Sequence, residues 1–484
     1  GEHGSFNSET IQGFIHDTFC GVQIQAASLS PYWSVSLYIG LYKSTIRNRP
    51  SAMKPLLSSA FLLSLLMGVT NASLTAQSPT DYDRQIEQLM NNPAVRTALD
   101  HIVETDEQTM DDLVTLTQIP APPFMEEERA EAFLETMIEL GVDSAWTDEV
   151  GNVIGLRRGS GTGEVLAVAG HLDTVFPPET DVTVRVSGDT IFAPGISDDT
   201  RGLATVLAVL RAMNEANIRT EADILFIGNV GEEGLGDLRG VKHLFRAGGP
   251  RIDHFISVDG TSPNGITHMG LGSHRYRVTF RGPGGHSWGA FGLANPAHAM
   301  GRAIRYFQDG AAPYTANAPY RTSYNVGRMG GGTSVNSVPF ESWMEIDMRS
   351  EGDETLEAVD AILQGAVQRA LAEENALRTR GEALTVNVDM IGDRPSGEIA
   401  LDHPFVEQAT AVTNALGLFP GYARSSTDSN IPISLGIPAI TIGGGGQGFG
   451  GHSLDEWFRN EDGALGVQRV MLIVLAQVGL AQMS

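Results

Sequence analysis

Short, continuously apolar runs that each end in a polar or acidic cluster recur along the middle and the end of this 484-residue chain. They cover residues 165–169, 224–230, 255–258 and 439–442, and segments with helical spacing, such as residues 202–214, separate them. Apolar runs of this length without alternation are typical of parallel strands buried on both faces. The pattern therefore predicts an α/β fold whose polar clusters lie past the carboxyl ends of strands, where such sheets bind ligands.

Two other regions follow different patterns. Residues 81–140 have helical spacing that is interrupted by three prolines between positions 120 and 123. Residues 275–388 have the order strand, helix, strand, strand, helix, strand, which is the ferredoxin-like pattern. We therefore predict a main domain made of residues 77–274 and 389–484, into which residues 275–388 are inserted as a second, ferredoxin-like domain.

The amino-terminal segment has the features of a secretory signal peptide. Met53 and a basic residue precede an apolar run at 55–69, and small residues follow that run. The run is shorter than the roughly 20 residues of a membrane span, so an uncleaved anchor is the weaker alternative. We expect residues 1–76 to be leader and signal peptide with Met53 as the true start, and the mature chain to begin between Ala72 and Ser78. This predicts a periplasmic or secreted protein.

Charge and cysteine content narrow the possible partners and metal ligands. The formal net charge is -26, and no stretch has the clustered lysine and arginine that bind phosphate backbones, which argues against nucleic acid. Cys20 is the only cysteine, so a disulfide framework and a cysteine-based zinc site are excluded. Any metal must therefore be bound by histidine, aspartate and glutamate.

Two clusters in the first half of the main domain carry possible metal ligands. His171 and Asp173 stand two residues apart at a predicted strand end, where the carboxylate can fix the imidazole ring of a metal-binding histidine. Asp198 and Asp199 open a predicted helix, and helix capping is the alternative role for this pair. Two adjacent carboxylates require charge compensation if they are buried, and a metal ion provides it.

Glu232 and Glu233 give the sharper signal, because two acidic residues end an apolar strand. Neighbouring residues of a strand point in opposite directions, so one carboxylate can bind metal while the other transfers a proton. Asp259 ends the next predicted strand, and His452 follows the glycine-rich loop 443–451. We interpret this loop as a backbone wall of the substrate pocket, because it lacks the lysine and serine or threonine that complete a phosphate-binding loop.

Two histidines and three carboxylates form the complete candidate ligand set, namely His171, Asp198, Glu233, Asp259 and His452. If one carboxylate bridges two zinc ions, each ion has two further protein ligands. Paired metals about 3.5–4 Å apart activate water near neutral pH. Glu232 is not needed as a ligand, and we predict that it is the general base that moves a proton from water to the leaving amine.

The motifs that carry these residues resemble, in order, those of the dizinc exopeptidase family that includes glutamate carboxypeptidase, peptidase T, aminoacylase and succinyl-diaminopimelate desuccinylase. They begin at His171, Gly195, Gly231, Ser257, Gly284 and Gly451, within a resemblance that covers roughly residues 85–484. The resemblance implies a three-layer α/β/α catalytic domain and an inserted lid that also forms a homodimer.

The resemblance also implies a role for each member of the ligand set. Asp198 would bridge the two metals, His171 and Asp259 would complete one site, and Glu233 and His452 the other. Glu232 would be the base and Asp173 would orient His171 from outside the metal shell.

Further residues are assigned by the same resemblance. It implies that His286 reaches the active site of the partner subunit and stabilises the oxyanion, and that Asn336 and Arg349 bind the carboxylate or carbonyl of the substrate. Arg394 is a further anion-binding candidate, with a surface ion pair as its alternative. The chain departs from many relatives by having Thr200-Arg201 where they have Lys-Gly, from which we expect no loss of metal but altered helix-start geometry or substrate preference.

The resulting prediction is a metallopeptidase that uses two zinc ions, with cobalt or manganese as alternatives, to hydrolyse di- or tripeptides. An N-acyl-amino-acid amidohydrolase with the same metals is the nearest alternative, and a noncatalytic binding protein is a remote one. Calcium is the weaker metal, since two imidazoles favour zinc. The identity of the peptide and the direction of recognition stay open at this stage.

Overall fold

The computed structural model describes residues 81–161 and 163–481 of the chain. Met53 and the predicted signal peptide lie outside the described residues. The helices are α1 Asp81–Asn91, α2 Pro93–Glu104, α3 Asp106–Thr117, α4 Glu127–Leu140, α5 Arg201–Glu215, α6 Arg239–Leu244, α7 Pro296–Thr315, α8 Asp353–Leu377, α9 Pro404–Ala415, α10 Asn430–Ser434 and α11 Gly463–Val478.

Nine strands form the central sheet: β1 Ser144–Thr147, β2 Val153–Arg157, β3 Val165–His171, β6 Asp223–Asn229, β7 His254–Val258, β8 Gly265–Gly270, β15 Gly397–Glu398, β16 Gly421–Ser425 and β17 Ala439–Ile442. Their order is β1-β2-β6-β3-β7-β17-β8-β15, and β16 also pairs with β8. The neighbours β6, β3, β7 and β17 run parallel. Nearly every residue of these four strands is buried, so both faces of the sheet are covered. This confirms the predicted α/β fold class.

A small four-stranded sheet lies beside the carboxyl ends of these strands. It has the order β18-β19-β5-β4 and consists of β4 Arg185–Ser187, β5 Thr190–Phe192, β18 Gln447–Phe449 and β19 Trp457–Arg459. The loop between β18 and β19 carries His452, and the turn after β5 leads into Asp198. The small sheet therefore brings two distant parts of the candidate ligand set together.

The inserted unit has its own sheet and its own core. Its strands are β9 Gly272–Arg281, β11 Thr322–Gly331, β13 Glu341–Ser350 and β14 Thr385–Arg394, in the antiparallel order β11-β13-β9-β14. Helices α7 and α8 cover one face, where Phe280, Phe307 and Met344 are buried. A two-residue ladder, β10 Gly285–His286 with β12 Ser337–Val338, completes the unit.

The chain enters and leaves the inserted unit through neighbouring paired strands. Gly270 pairs with Gly397 in the central sheet, and Ser273 pairs with Arg394 in the inserted sheet. The paired strands extend a few residues beyond the interval 275–388 that alternation indicates, because backbone pairing continues where the apolar pattern has ended.

Among the described residues, no helix is both long and apolar enough to cross a membrane. The apolar helix α11 has 16 residues and packs in the main core.

Candidate dinuclear metal site

The parallel strands bring the candidate ligands to one edge of the central sheet. His171 is the last residue of β3, Asp259 directly follows β7, and Glu233 lies four residues past β6. Because β6, β3 and β7 are neighbours, these three side chains converge. Asp198 and His452 approach from the turn before α5 and from the loop after β18.

Asp198 lies at the centre of the group. Its Oδ1 is 3.1 Å from Nε2 of His171, and its Oδ2 is 3.1 Å from Nε2 of His452. The same nitrogen of His452 is 2.8 Å from Oε1 of Glu233. Two sets of possible ligand atoms each lie within 4.8 Å of one another, one formed with His171 and Asp259 and the other with Glu233 and His452. Asp198 belongs to both sets, so its two oxygens suit a bridge between two metal ions.

The electrostatics of the group fit a site for cations. Hydrogen bonds to Asp198 and Glu233 raise the pKa of His452 to about 10. Burial, together with the Asp198 carboxylate, raises the pKa of Asp259 to about 7. A divalent cation relieves the same crowding of negative charge, and a mixed imidazole and carboxylate donor set is typical of zinc and similar metals.

Asp173 contacts both His171 and the backbone of the pair Glu232 and Glu233. Nδ1 of His171 is 3.0 Å from the backbone oxygen of Asp173 and 3.6 Å from its carboxylate. That carboxylate accepts the backbone N–H groups of Glu232 and Glu233, at 2.9 and 2.8 Å. The buried Asp173 thus sets the ring orientation of one candidate ligand and the backbone position of another.

Glu232 lies beside the ligands but is held by an arginine. Its Oε1 accepts a 3.0 Å hydrogen bond from Nη1 of Arg394, which also donates to Ser426. Burial raises the pKa of Glu232 well above its ordinary value, the guanidinium opposes that shift, and Glu233 adds to it. Glu232 also falls within 4.8 Å of ligand atoms of His171 and Glu233, so its pairing with Arg394 is what distinguishes it from the ligand set. Arg394 is only 4% exposed, so the ion pair that it forms with Glu232 is buried and not at the surface.

Asp199 supports the site without facing the candidate ligands. The sequence alone did not distinguish its role from that of Asp198, because either residue could cap the helix. The peptide bond between the two residues is cis. The Asp199 carboxylate points into the protein and accepts the backbone N–H groups of His171, Gly202 and Gly260. A β-carbon at Gly202 would lie 2.0 Å from the backbone oxygen of Val258, so this close approach of α5 to β7 requires glycine.

Glu456 has a role in the site that the sequence did not reveal. The sequence shows only that it lies four residues after His452. Its fully buried carboxylate accepts hydrogen bonds from Gly195 N at 2.8 Å, Ser197 N at 2.8 Å, Ser197 Oγ at 2.6 Å and Asp198 N at 3.1 Å. Four donors on one carboxylate fix the turn that carries the central aspartate.

Arg201 accounts for part of the departure from the related motif. Its buried guanidinium donates to the backbone oxygens of Gly444 and Gly463, at 2.8 and 2.9 Å. It therefore ties the start of α5 to the glycine-rich loop that leads to His452. The sequence offers no signal for this contact, since more than 240 residues separate the partners.

Two cavities meet at the ligand set and share Asp198 and Asp259. The first, of about 260 Å³, is also lined by Glu232, by Ser425, Ser426 and Thr427, and by three arginines, Arg275, Arg349 and Arg394. The second, of about 430 Å³, is lined otherwise by neutral residues, namely Ser197, Gly260, Thr261, Gly448, Phe449, Gly450 and Gly451. We name them the arginine cavity and the neutral cavity.

His286 and Asn336 do not line either cavity. The backbone oxygen of Asn336 accepts the N–H group of Ser287, so the two predicted residues lie close together, His286 on β10 and Asn336 directly before β12. Around them, Trp288 and Phe291 are more than 80% exposed. Arg349, in contrast, lies at the arginine cavity of its own chain.

Comparisons with known proteins identify the family of the chain. The sequence profile described as "Peptidase family M20/M25/M40" matches residues 167–476. A Pyrococcus abyssi protein named as a LysW-lysine/LysW-ornithine hydrolase is 37% identical over 169 residues, which are 35% of this chain and 45% of the relative. The chain thus matches about half the length of that curated relative.

Solved structures share the fold over most of the described residues. The aminopeptidase PepT from Bacillus cereus has a TM-score of 0.59 and 22% identity, with 77% of this chain and 99% of that chain covered. The dipeptidase Dug1p from Saccharomyces cerevisiae has a TM-score of 0.64 and 15% identity, with 79% and 98% covered. At these identities the likeness concerns the fold alone.

Proposed function

The chain belongs to peptidase family M20/M25/M40. From this premise we propose that it is a hydrolase of amide bonds, and specifically a dizinc exopeptidase that acts on small peptides. The central observation is that Asp198 is shared by two groups of ligand atoms while Glu232, beside them, is held apart by Arg394. His171 and Asp259 would hold one zinc ion, Glu233 and His452 the other. Zinc supplies Lewis-acid activation of the scissile carbonyl and of a water.

The protein side chains orient the substrate and move the proton. Glu232 takes a proton from the attacking water and delivers it to the nitrogen of the leaving amine. Its elevated pKa suits both steps, because the group can hold the proton between them. Arg394 fixes the position of this carboxylate, and Asp173 fixes the backbone that carries it.

A second candidate function is hydrolysis of N-acyl amino acids. Apart from the shared ligand residues, none of the described residues that line the neutral cavity has a carboxylate to bind a free amino terminus, and this favours an acyl group there. Both candidates use the same metals and the same base, so only substrates distinguish them.

The experiment is metal analysis of the full chain, paired with hydrolysis of dipeptides, tripeptides and N-acetyl amino acids with and without a chelator. We expect about two zinc ions per chain and amide hydrolysis that the chelator abolishes. Absence of bound metal, or hydrolysis that survives complete metal removal, would refute the dizinc proposal. Cobalt or manganese that restores activity to the stripped protein would identify alternative metals.

We further propose a homodimer formed through the inserted unit, with His286 of the partner subunit stabilising the oxyanion. Its support is that His286 and the exposed Trp288 lie outside both cavities of their own chain. Sedimentation of the full chain should give the mass of two chains. Mixing E232Q and H286A proteins should restore activity through hybrid dimers, and a strictly monomeric active enzyme would contradict the proposal.

Export from the cytoplasm remains a proposal based on the signal-like segment. Amino-terminal sequencing of the protein from its natural source should begin between Ala72 and Ser78. A start near Gly1 would refute it.

A further inference from the structure

The inserted sheet presents a row of charged residues on the face opposite its helices. On β13 the buried positions alternate with Trp343, Glu345, Asp347 and Arg349. Across the strand pair, Asp347 lies opposite Arg275 of β9, and Arg349 lies two residues further along the same face. Of this row, Arg275 and Arg349 reach the arginine cavity.

Asp347 accepts a hydrogen bond from the Nε atom of each of these two arginines. Its Oδ1 accepts from Nε of Arg275 at 2.9 Å, and its Oδ2 accepts from Nε of Arg349 at 2.8 Å. Nη1 of Arg275 donates to the backbone oxygen of Gly234 at 2.9 Å. Within the described part of the chain, the two Nη groups of Arg349 and Nη2 of Arg275 have no hydrogen-bond acceptor. We call Arg275, Asp347 and Arg349 the arginine clamp.

The net charge of the clamp suits the binding of one carboxylate group. Two guanidinium groups and one carboxylate leave a net charge of one positive unit. Burial acts to raise the pKa of Asp347, but the hydrogen bonds from Arg349 and Arg275 outweigh it and leave the pKa lowered, so the carboxylate stays ionised. The third arginine of the cavity, Arg394, is already neutralised by Glu232.

The position of Glu232 decides which half of the substrate meets the clamp. Glu232 lines the arginine cavity and not the neutral cavity. In the proposed mechanism this residue delivers the proton to the leaving nitrogen, which would place the amine half of the substrate in the arginine cavity. The acyl half would then lie in the neutral cavity, among Thr261, Phe449 and the glycine-rich loop.

The resemblance already implies that Arg349 binds a carboxylate or carbonyl of the substrate. We propose that Arg275 is a second specificity-determining guanidinium, and that both arginines of the clamp bind the free carboxylate of the residue that leaves as an amine. The inference rests on the proposed amide hydrolysis and gives it a direction. The enzyme cleaves ahead of a carboxyl-terminal residue and accepts a neutral or acylated group on the other side. A guanidinium suits this task because it donates two parallel hydrogen bonds to a carboxylate.

Four matched compounds test the direction in the zinc-loaded full chain: Ala-Leu, Ala-leucinamide, N-acetyl-Ala-Leu and N-acetyl-Ala-leucinamide. We expect cleavage of the Ala–Leu bond in both acids. Both amides should have kcat/KM about 10- to 100-fold lower, the range for losing a hydrogen bond to a charged group. Cleavage of Ala-leucinamide without cleavage of either acetyl compound would overturn the proposal and indicate an aminopeptidase.

A variant pair tests Arg275 itself. Arg275→Gln should lower kcat/KM for Ala-Leu by about 10- to 100-fold, mainly through KM, and should leave Ala-leucinamide nearly unchanged. Arg277→Gln is the matched control, since Arg277 lies on the same face of β9, pairs with Glu345 and does not line the cavity. Equal losses for acid and amide in Arg275→Gln would reduce Arg275 to a structural contact with Gly234.

Binding measurements separate failure of the direction from failure of the proposed function. If a two-zinc protein cleaves neither these compounds nor the tripeptides and N-acetyl amino acids of the wider panel, the proposed amide hydrolysis is refuted. Calorimetric titration of that protein with leucine and leucinamide still tests the clamp. Leucine binding at least 10-fold tighter than leucinamide binding supports the clamp. Equal binding overturns it.

Discussion

Glu456→Gln tests whether the turn that carries Asp198 is positioned by one buried carboxylate. The substitution keeps the shape of the side chain, and the amide oxygen can still accept the three hydrogen bonds that Oε1 receives from Ser197 and Asp198. The new NH₂ group, however, faces the N–H of Gly195, which now bonds Oε2 at 2.8 Å. Two donors then oppose each other in a site that is 0% exposed.

The expected magnitude follows from this one lost acceptor. Burial raises the pKa of Glu456, and its four hydrogen-bond donors offset this desolvation of the ionised carboxylate only in part. Removing the charge therefore carries little penalty of its own. The penalty is that of one unsatisfied buried donor, about 1–3 kcal/mol in the free energy of unfolding. A displaced Asp198 should also weaken zinc binding by about 10- to 100-fold, as outer-shell substitutions commonly do.

The assay combines urea denaturation with zinc competition against a chromophoric chelator, in the full chain. Glu461→Gln is the matched control, because Glu461 is exposed and lies five residues away. Glu456→Gln should shift both measurements and Glu461→Gln neither. If Glu456→Gln binds zinc as tightly as the parent and unfolds at the same urea concentration, the positioning argument is wrong.

Three further changes have expected outcomes. Glu232→Gln should lower kcat by about 10²- to 10⁴-fold, the range for general acid–base catalysis, with zinc content unchanged by elemental analysis; retained turnover would assign the base elsewhere. Arg201→Met removes the hydrogen bonds to Gly444 and Gly463, so the loop that leads to His452 should become more mobile. In a chelator titration one of the two zinc ions should then be lost before the other, and equal loss of both ions would contradict this link. The hydrogen bond to Asp360 raises the pKa of His274. The contact therefore stabilises the fold fully below the ordinary histidine pKa of about 6.5, and this stabilisation is lost as pH rises through the elevated pKa. The stability deficit of His274→Gln in urea should therefore be larger at pH 5.5 than at pH 9, and a deficit independent of pH would exclude a role for the charge.

Local pattern was sufficient to predict the parts of this molecule in which one face or both faces of an element are buried. The continuous apolar runs correspond to β3, β6, β7 and β17, and alternation marks β9 and β13 of the inserted unit. The convergence of His171, Glu233 and Asp259 follows from the rule that parallel strands end at one edge of a sheet.

Contacts between distant segments could not be predicted in this way. Arg394 meets Glu232 across 162 residues, and Glu456 meets Ser197 across 259. No local spacing encodes such a meeting, since it depends on how the small sheet and the inserted unit dock against the main sheet. The buried position of Arg394 and the role of Glu456 became apparent only from the folded chain.

The paired entry and exit of the inserted unit mean that residues 271–396 could be deleted without changing how β8 and β15 pair. Gly270 and Gly397 are already backbone-paired in the central sheet, and Ser273 and Arg394 are paired just beyond them. A two-residue hairpin turn could replace residues 271–396 and still leave β8 and β15 in register. Such a deletion would keep all five candidate metal ligands, which lie on the main domain. It would remove Arg275, Arg349 and Arg394 together, so the chain would lose every arginine of the arginine cavity and with it the side chain that holds Glu232.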